Sequence, residues 1–352
     1  MKYAIIGCGR IAKNHLAAAL ECGLNTAAVC DLLPDAMQQL VIGGAASAVQ
    51  YTDYHRMLKD IAPQLVAIAT DSGAHTQIAL DCIASGAHII LEKPMAMSLE
   101  DADRIIKAAE RAKVKVAVCH QNRFNMASQA LHEAVQQNWF GTISHAAVTI
   151  RWNRGESYYQ QAAWRGRWTT DGGALMNQCI HGIDLLCWLM GSSVARVYGV
   201  CCNRLHPYIE AEDVGVAVLT FKNGAVATIE GSTNIYPKNL EETICIFGEK
   251  GTVKLGGVSA GHIEHWQFDN KMPAPSLSEQ IQTVYGHGHL RLYADMLSAI
   301  KENRAPLINA KAGRAALELV LAIYKSQKEK QVIKLPFSDF SSADMAKEFL
   351  RE

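Results

Sequence analysis

The feature that most limits what this chain can fold into lies at its start. An apolar run, Tyr3 to Ile6, enters Gly7-Cys8-Gly9-Arg10-Ile11-Ala12, and a helix-like segment continues from Ile11 to about Cys22. Each small residue in that turn has a task. The first glycine allows the tight bend, the second lets backbone approach a pyrophosphate, and the small third residue lets helix pack on strand. Thr26 to Cys30 reads as a second strand ending in Asp31, 24 residues after the first glycine. At about that distance a carboxylate accepts the ribose hydroxyls of a dinucleotide. Leu32 and Leu33 follow, with no Arg or Lys there to neutralise a 2′-phosphate, which favours NAD over NADP.

The alternation continues. Gln64 to Thr70 reads as a strand, Ala74 to Ser85 as a helix, Ala87 to Leu91 as a strand, Ser98 to Ala112 as a helix and Lys115 to His120 as a strand. Strands alternating with helices of this length imply crossover units and a doubly wound parallel sheet, an N-terminal Rossmann domain over residues 1–121. In such sheets the ligand crevice lies outside the carboxyl ends of the strands. Thr70-Asp71-Ser72, His75 and the pair Glu92-Lys93 therefore stand at the cofactor rim, although turn and helix-cap chemistry explains Asp71 and Ser72 equally well. Pro94 fixes its own backbone, restricts Lys93 and is a candidate cis peptide. A lysine aimed by a rigid turn into a cleft can move a proton; an ordinary surface Lys-Pro turn is the competing reading.

After His120-Gln121-Asn122-Arg123-Phe124 the rhythm changes. A helix, Ala127 to Gln137, leads to Ile143 to Trp152, which alternates like a half-solvated strand. The stretch 153–168 concentrates Tyr158, Tyr159, Trp164, Arg165, Arg167 and Trp168, groups that stack on rings and grip anions. Asp171-Gly172-Gly173-Ala174 then opens a helix from Leu175 to Met190, on which Asn177, His181 and Asp184 share a face. Short strands dominate beyond Val194: Arg196 to Cys202, Val214 to Phe221, Ala225 to Ser232, Glu242 to Phe247 and Thr252 to Leu255, several joined by hairpin-type turns. They imply a large, mainly antiparallel open sheet in a C-terminal α+β domain, residues 122–335. Two helices, Leu290 to Lys301 and Lys311 to Lys328, and a strand, Val332 to Leu335, close that domain. The tail, residues 336–352, is expected to dock on a neighbour or stay loose. The fold class is thus α/β.

Lys plus Arg is 34 and Asp plus Glu is 34, so the formal charge is zero, which argues against nucleic acid or an anionic membrane as the main partner. A strand begins within two residues of Met1 and no apolar run approaches the length of a membrane span, so a cytoplasmic protein is expected. Ten cysteines lie scattered through apolar segments without a CxxC pair, as free thiols in a reducing compartment would. His262 with His265, and His287 with His289, have no carboxylate or cysteine at ligand spacing beside them. They read as solvated loop histidines, and no metal is expected.

Taken together, GCGRIA, Asp31, EKP at 92–94 and GGALMNQCIHGIDLL at 172–186 resemble the Gfo/Idh/MocA family, the glucose-fructose oxidoreductases, inositol dehydrogenases and their relatives, over nearly the whole chain. The resemblance implies a nicotinamide-dependent oxidoreductase of sugars or cyclitols, with a C-terminal sheet whose outer face is buried in a homodimer or homotetramer. Residue by residue, it assigns Gly7, Gly9, Arg10 and Ile11 to the pyrophosphate, Asp31 to the ribose, and Thr70, His75, Glu92, Lys93 and Gln121 to the nicotinamide half. Lys93 matches the family's catalytic lysine, and His181 the histidine at the reacting hydroxyl. The family usually carries Asp four residues before that histidine, where this chain has Asn177. A neutral amide cannot stabilise an imidazolium as a carboxylate does, which makes Lys93 rather than His181 the expected principal base.

With Asn122-Arg123-Phe124 and WRGRW at 164–168, the chain looks most similar to the branch of UDP-N-acetylglucosaminuronate and glycoside 3-dehydrogenases. In that branch Trp164 and Arg165 are expected at the cofactor phosphates, and Arg123 and Tyr159 at the sugar. The implied reaction takes a hydride from C3 of a pyranose to NAD while Lys93 takes or relays the hydroxyl proton. A free lysine, with a pKa of about 10.4, is mostly charged near neutrality, and a lowering of about three units costs about 4 kcal/mol, within what enclosed sites achieve. Inositol dehydrogenation and non-catalytic dinucleotide sensing on the same fold are the rival readings.

Overall fold

The computed structural model describes residues 1–257, 259–276 and 288–346. The chain forms two compact units, Met1–Ala96 with Glu100–Gln121 and Gly288–Arg314, and Met97–Leu99 with Asn122–His287 and Ala315–Glu352. In the first unit the chain runs β1 (Lys2–Ile6), α1 (Ala12–Glu21), β2 (Asn25–Cys30), α2 (Pro34–Ile42), β3 (Val49–Tyr51) and α3 (Tyr54–Ile61). It continues through β4 (Leu65–Ile68), α4 (His75–Ala84), β5 (His88–Leu91), α5 (Leu99–Ala112) and β6 (Val116–Val118). The sheet order is β3-β2-β1-β4-β5-β6, with every neighbouring pair parallel. Its central strands are buried on both faces, which is why they are continuous apolar runs. Strand order reverses between β1 and β4, and Gly7 and Thr70 lie just beyond the ends of those two strands, at the switch point where such sheets bind ligands.

The second unit contains α6 (Met126–Gln136), β7 (Ile143–Arg151), α7 (Glu156–Tyr159), α8 (Ile180–Leu189), β8 (Val194–Cys202), β9 (Val214–Phe221) and β10 (Val226–Ser232). Three further strands follow, β11 (Glu241–Gly248), β12 (Gly251–Gly256) and β13 (His262–Phe268). Helix α9 (Gly288–Lys301) belongs to the first unit, while most of α10 (Ala310–Glu329) and a short β14 (Ile333–Lys334) belong to the second. Among the described residues the strand order is β13-β12-β11-β7-β10-β9-β8-β14. All pairs are antiparallel except β7 with β10, because the meander β8, β9, β10 returns alongside β7 in the same direction. One face of the sheet carries α8. On the other, Tyr198 and Val200 of β8 stand opposite Val218 and Val216 of β9, and Val226 of β10 lies alongside; all five are exposed.

Three expectations need correction. His289, expected with His287 to be a solvated loop histidine, is instead buried on α9, 3.5 Å from Glu92, in the segment Gly288–Arg314 that clusters with the first unit. His262 and His265 are exposed but lie on β13, whose polar sequence HIEHWQF hides a strand at the sheet edge. The tail is not loose through residue 346: Leu99 N–H donates to Phe340 O (3.2 Å), Ser342 Oγ donates to Trp168 O (2.6 Å), and a capping box joins Ser341 to Asp344. Residues 347–352, and His287, lie outside the described residues.

Candidate active site

In the first unit the glycine turn has the geometry its sequence demands. Gly7 has φ of +91°, and a Cβ there would lie 2.5 Å from the Ala69 backbone, so only glycine fits between β1 and β4. A Cβ on Gly9 would meet nothing within 4 Å, which leaves open space beside that backbone. Arg10 is exposed beside it, Ile11 is the residue before α1, and Ala12 is fully buried as the packing residue. No side chain caps α1 and its first turn holds no acid, so its N–H groups and positive dipole end suit a diphosphate. Asp31, at the end of β2, accepts Cys8 N–H (2.7 Å) and Leu33 N–H (2.8 Å), which fixes its carboxylate against the glycine turn. Each oxygen keeps a lone pair for a ribose hydroxyl. These residues fit a dinucleotide.

Glu92 and Lys93 follow β5, and the Lys93–Pro94 peptide is cis. His75, expected at the nicotinamide, is buried, with Nδ1 2.8 Å from Pro94 O and Nε2 3.3 Å from Thr70 O. Burial lowers its pKa, and a neutral ring carries one N–H, so it can donate to one of these two carbonyls; the shorter contact ties the Lys-Pro turn to the start of α4. Thr70 Oγ1 donates to Asp71 O (3.2 Å) on the same rim, while Gln121 is buried at the end of the unit's second segment.

Behind Lys93 lies a network that local sequence does not announce. Glu92 Oε1 is 3.2 Å from His15 Nε2 and 3.5 Å from His289 Nε2, its Oε2 accepts Lys93 N–H (3.1 Å), and the three side chains are buried. Burial alone would raise the Glu92 pKa, but the hydrogen bonds from the two imidazoles outweigh it and hold the carboxyl well below its usual range. Burial lowers His15. A neutral His15 then donates through Nε2–H to the carboxylate, its Nδ1 accepts from Tyr293 Oη (2.9 Å), and Tyr293 accepts from Tyr3 Oη (2.6 Å). Cys119 joins these residues, so that four potential metal-ligand atoms lie within 4.8 Å of one another. Burial holds the Cys119 thiol well above its usual value, and the Glu92 carboxylate beside it adds to the rise.

In the second unit the segment that opens on Gly173 is not a plain helix. Leu175–Cys179 makes a π-helical turn before α8, a widened turn often found at functional sites. Gly173 is required there, because a Cβ would lie 1.8 Å from Glu212 Oε2. Glu212 accepts Leu175 N–H (2.8 Å) and Tyr324 O–H (2.9 Å), and burial pushes its pKa up to about 8. Asn177 and His181 are both buried on this segment. Asp184, on the same face, forms a buried bidentate pair with Arg123, Nε to Oδ2 at 2.7 Å and Nη2 to Oδ1 at 2.5 Å. That pair occupies the Nε/Nη2 edge of a guanidinium expected at the sugar, two of its five N–H groups, and leaves the second Nη2 hydrogen and both on Nη1 outside it.

The 153–168 stretch folds on itself. Arg165 lies over the Tyr158 ring at 4.1 Å and the Trp164 ring at 5.5 Å, and donates to Tyr158 O (2.5 Å). Tyr159 is buried with its hydroxyl 3.3 Å from Thr233 Oγ1. Arg165, Arg167, Tyr159 and Tyr208 line a cavity of about 260 Å³.

A glycine turn at the switch point of a 3-2-1-4-5-6 sheet, with an acid at the next strand end, marks a dinucleotide-binding protein. The oxidoreductase family's NAD-binding Rossmann fold matches residues 1–120 and its C-terminal α/β domain residues 132–335, so this chain belongs to the Gfo/Idh/MocA family. Among solved structures it is similar to the WlbA dehydrogenase from Bordetella pertussis in complex with NADH and UDP-GlcNAcA (36% identity, TM-score 0.87, 96% of this chain and 99% of that one). The WlbA dehydrogenase from Chromobacterium violaceum, in complex with the same two molecules, is 35% identical with a TM-score of 0.88, covering 96% and 97% of the two chains. Among curated proteins, the myo-inositol 2-dehydrogenase of Thermotoga maritima is 26% identical over 343 residues, 95% of this chain and 98% of the relative. Dehydrogenases acting on sugars and on inositols are thus both among its relatives. No helix among the described residues is long and apolar enough to cross a membrane.

Proposed function

We propose that this protein oxidises the C3 hydroxyl of a pyranose, carried on a nucleotide sugar or a glycoside, to the ketone. NAD, when bound, supplies the hydride acceptor. Lys93, as a neutral amine, takes the hydroxyl proton as the carbon loses its hydride, so that the products are a carbonyl, the reduced cofactor and an ammonium. His181 hydrogen-bonds the reacting oxygen and Asn177 holds the sugar; Arg123 and Tyr159 serve the substrate, and Trp164 and Arg165 the cofactor phosphates. The carrying observation is Lys93 itself. It leaves β5 at the carboxyl edge of the sheet that bears the glycine turn, directly after a buried carboxylate that also engages two imidazoles.

The likeness to proteins in complex with NADH and UDP-GlcNAcA supports the nucleotide sugar as first candidate. A cyclitol is the second reading, favoured by the full-length match to an inositol dehydrogenase. A second copy of this chain is the proposed occupant of the exposed face around Tyr198, Val200, Val216 and Val218, and ten cysteines with no disulfide among the described residues support a cytoplasmic setting.

The test is a panel of UDP-GlcNAcA, free and aryl glycosides and myo-inositol with NAD, followed by absorbance of the reduced nicotinamide. Lys93→Ala should lower turnover by about a thousandfold or more while NAD affinity changes little. A variant that turns over at near the parent rate sinks the proton role. Growth of the signal with inositol alone would move the substrate to the cyclitol class.

A further inference from the structure

Asp171 lies six residues before Asn177, at the turn that opens the π-helical segment, and is 1% exposed. Its Oδ2 accepts the backbone N–H of Gly166 (2.7 Å), and its Oδ1 accepts Asn177 Nδ2. The backbone N–H groups of Asp171 and Gly172 both return to Arg167 O (3.0 and 2.9 Å). One carboxylate thus joins the Arg165–Arg167 loop that lines the cavity to the helix turn that carries Asn177.

An amide has two unlike ends, a donor and an acceptor, and left alone it can present either. A carboxylate only accepts, so the contact with Asp171 decides the matter: nitrogen toward residue 171, Oδ1 to the opposite side. We propose that Asp171 is a positioning residue that fixes Asn177 as a hydrogen-bond acceptor for a donor on the substrate, a sugar hydroxyl. The charge behind the amide also polarises it, which strengthens Oδ1 as an acceptor. An uncharged residue at 177 thereby does the accepting work of a carboxylate, with the formal charge held one residue away from the ligand. This inference rests on the reading of Asn177 as a substrate contact.

The test is an exchange of the two groups in the full-length protein, assayed with NAD and whichever panel sugar the parent turns over fastest. Asp171→Asn keeps the shape but removes the orienting charge. Its kcat should fall by about 100-fold, the cost of misplacing one contact, with NAD affinity held and the melting temperature little changed. Asn177→Asp places two carboxylates in contact, one of which must hold a proton. Its activity should fall as pH rises, a dependence the parent lacks. The double variant Asp171→Asn, Asn177→Asp restores a donor at 171 and an acceptor at 177, and should recover kcat to within about tenfold of the parent while losing that pH dependence. A purely structural role predicts neither the changed pH profile nor its cancellation. Asp171→Asn within about threefold of the parent, or a double variant as slow as that single one, overturns the inference. A parent that turns over no panel substrate removes the functional reading and this inference with it. An active parent with an unaffected Asp171→Asn removes this inference alone.

Discussion

Both units bury carboxyl groups behind their candidate residues, and they leave them in opposite charge states. Glu92, behind Lys93, meets two imidazole nitrogens and a backbone N–H and stays ionised well below the usual carboxyl range. Glu212 has one backbone and one hydroxyl donor, and Glu242 on β11 has no partner for either oxygen among the described residues; burial pushes both up to about 8. All three are essentially inaccessible. Burial therefore does not decide the charge. The number and kind of donors brought to the carboxyl do.

The widest consequence is in the pH dependence of stability. Between the ordinary glutamate pKa of about 4.3 and the folded value of about 8, the folded chain keeps a proton on Glu242 that the unfolded chain has released, so stability falls as pH rises through that window. Glu242→Gln should remove that fall, on the order of 5 kcal/mol across it, measured by denaturant titration at several pH values. Equal slopes in parent and variant would break the contrast. Glu92 works in the other direction: its contribution is intact above about 4.3 and is lost as pH falls toward its depressed folded value. Glu92→Gln should cost about 3 kcal/mol near neutrality, because one imidazole N–H then faces an amide donor, and the cost should shrink in acid. A pH-independent cost would mean that the carboxylate charge is not what the histidines serve. Smallest is Tyr324→Phe, which removes one donor from Glu212 at about 1 kcal/mol. It should also carry the Glu212 titration to higher pH, so that the fall in stability with rising pH runs on further before it levels off.

The parts of this molecule written in local pattern are legible in sequence: the glycine turn, the acid at Asp31, the alternation from β4 to β6 and the position of Lys93. What is not legible depends on partners far along the chain. The segment 34–61 yields no assignment from periodicity, since β3 has only three residues, two of them exposed, with Val49 at 50%. β13 escapes for the same reason, a polar edge strand with one covered residue. The π-helical turn has the composition of an α-helix, so its spacing reads as one. Tyr293 reaches His15 across 278 residues, a pairing that no window on the sequence contains. Asp171 reads as a turn residue until its two oxygens are followed to Gly166 and Asn177.

The return of α9 to the first unit has a practical corollary for anyone cutting this chain apart. A fragment ending at residue 121 would carry the glycine turn and Lys93 but would lose Tyr293 and His289, and with them the donors to the Tyr3, His15 and Glu92 chain. Its buried carboxylate would then open toward water on the side that α9 had closed. Excision of the nucleotide-binding half as an autonomous piece therefore requires grafting residues 288–314 back on, in a permuted or two-fragment design.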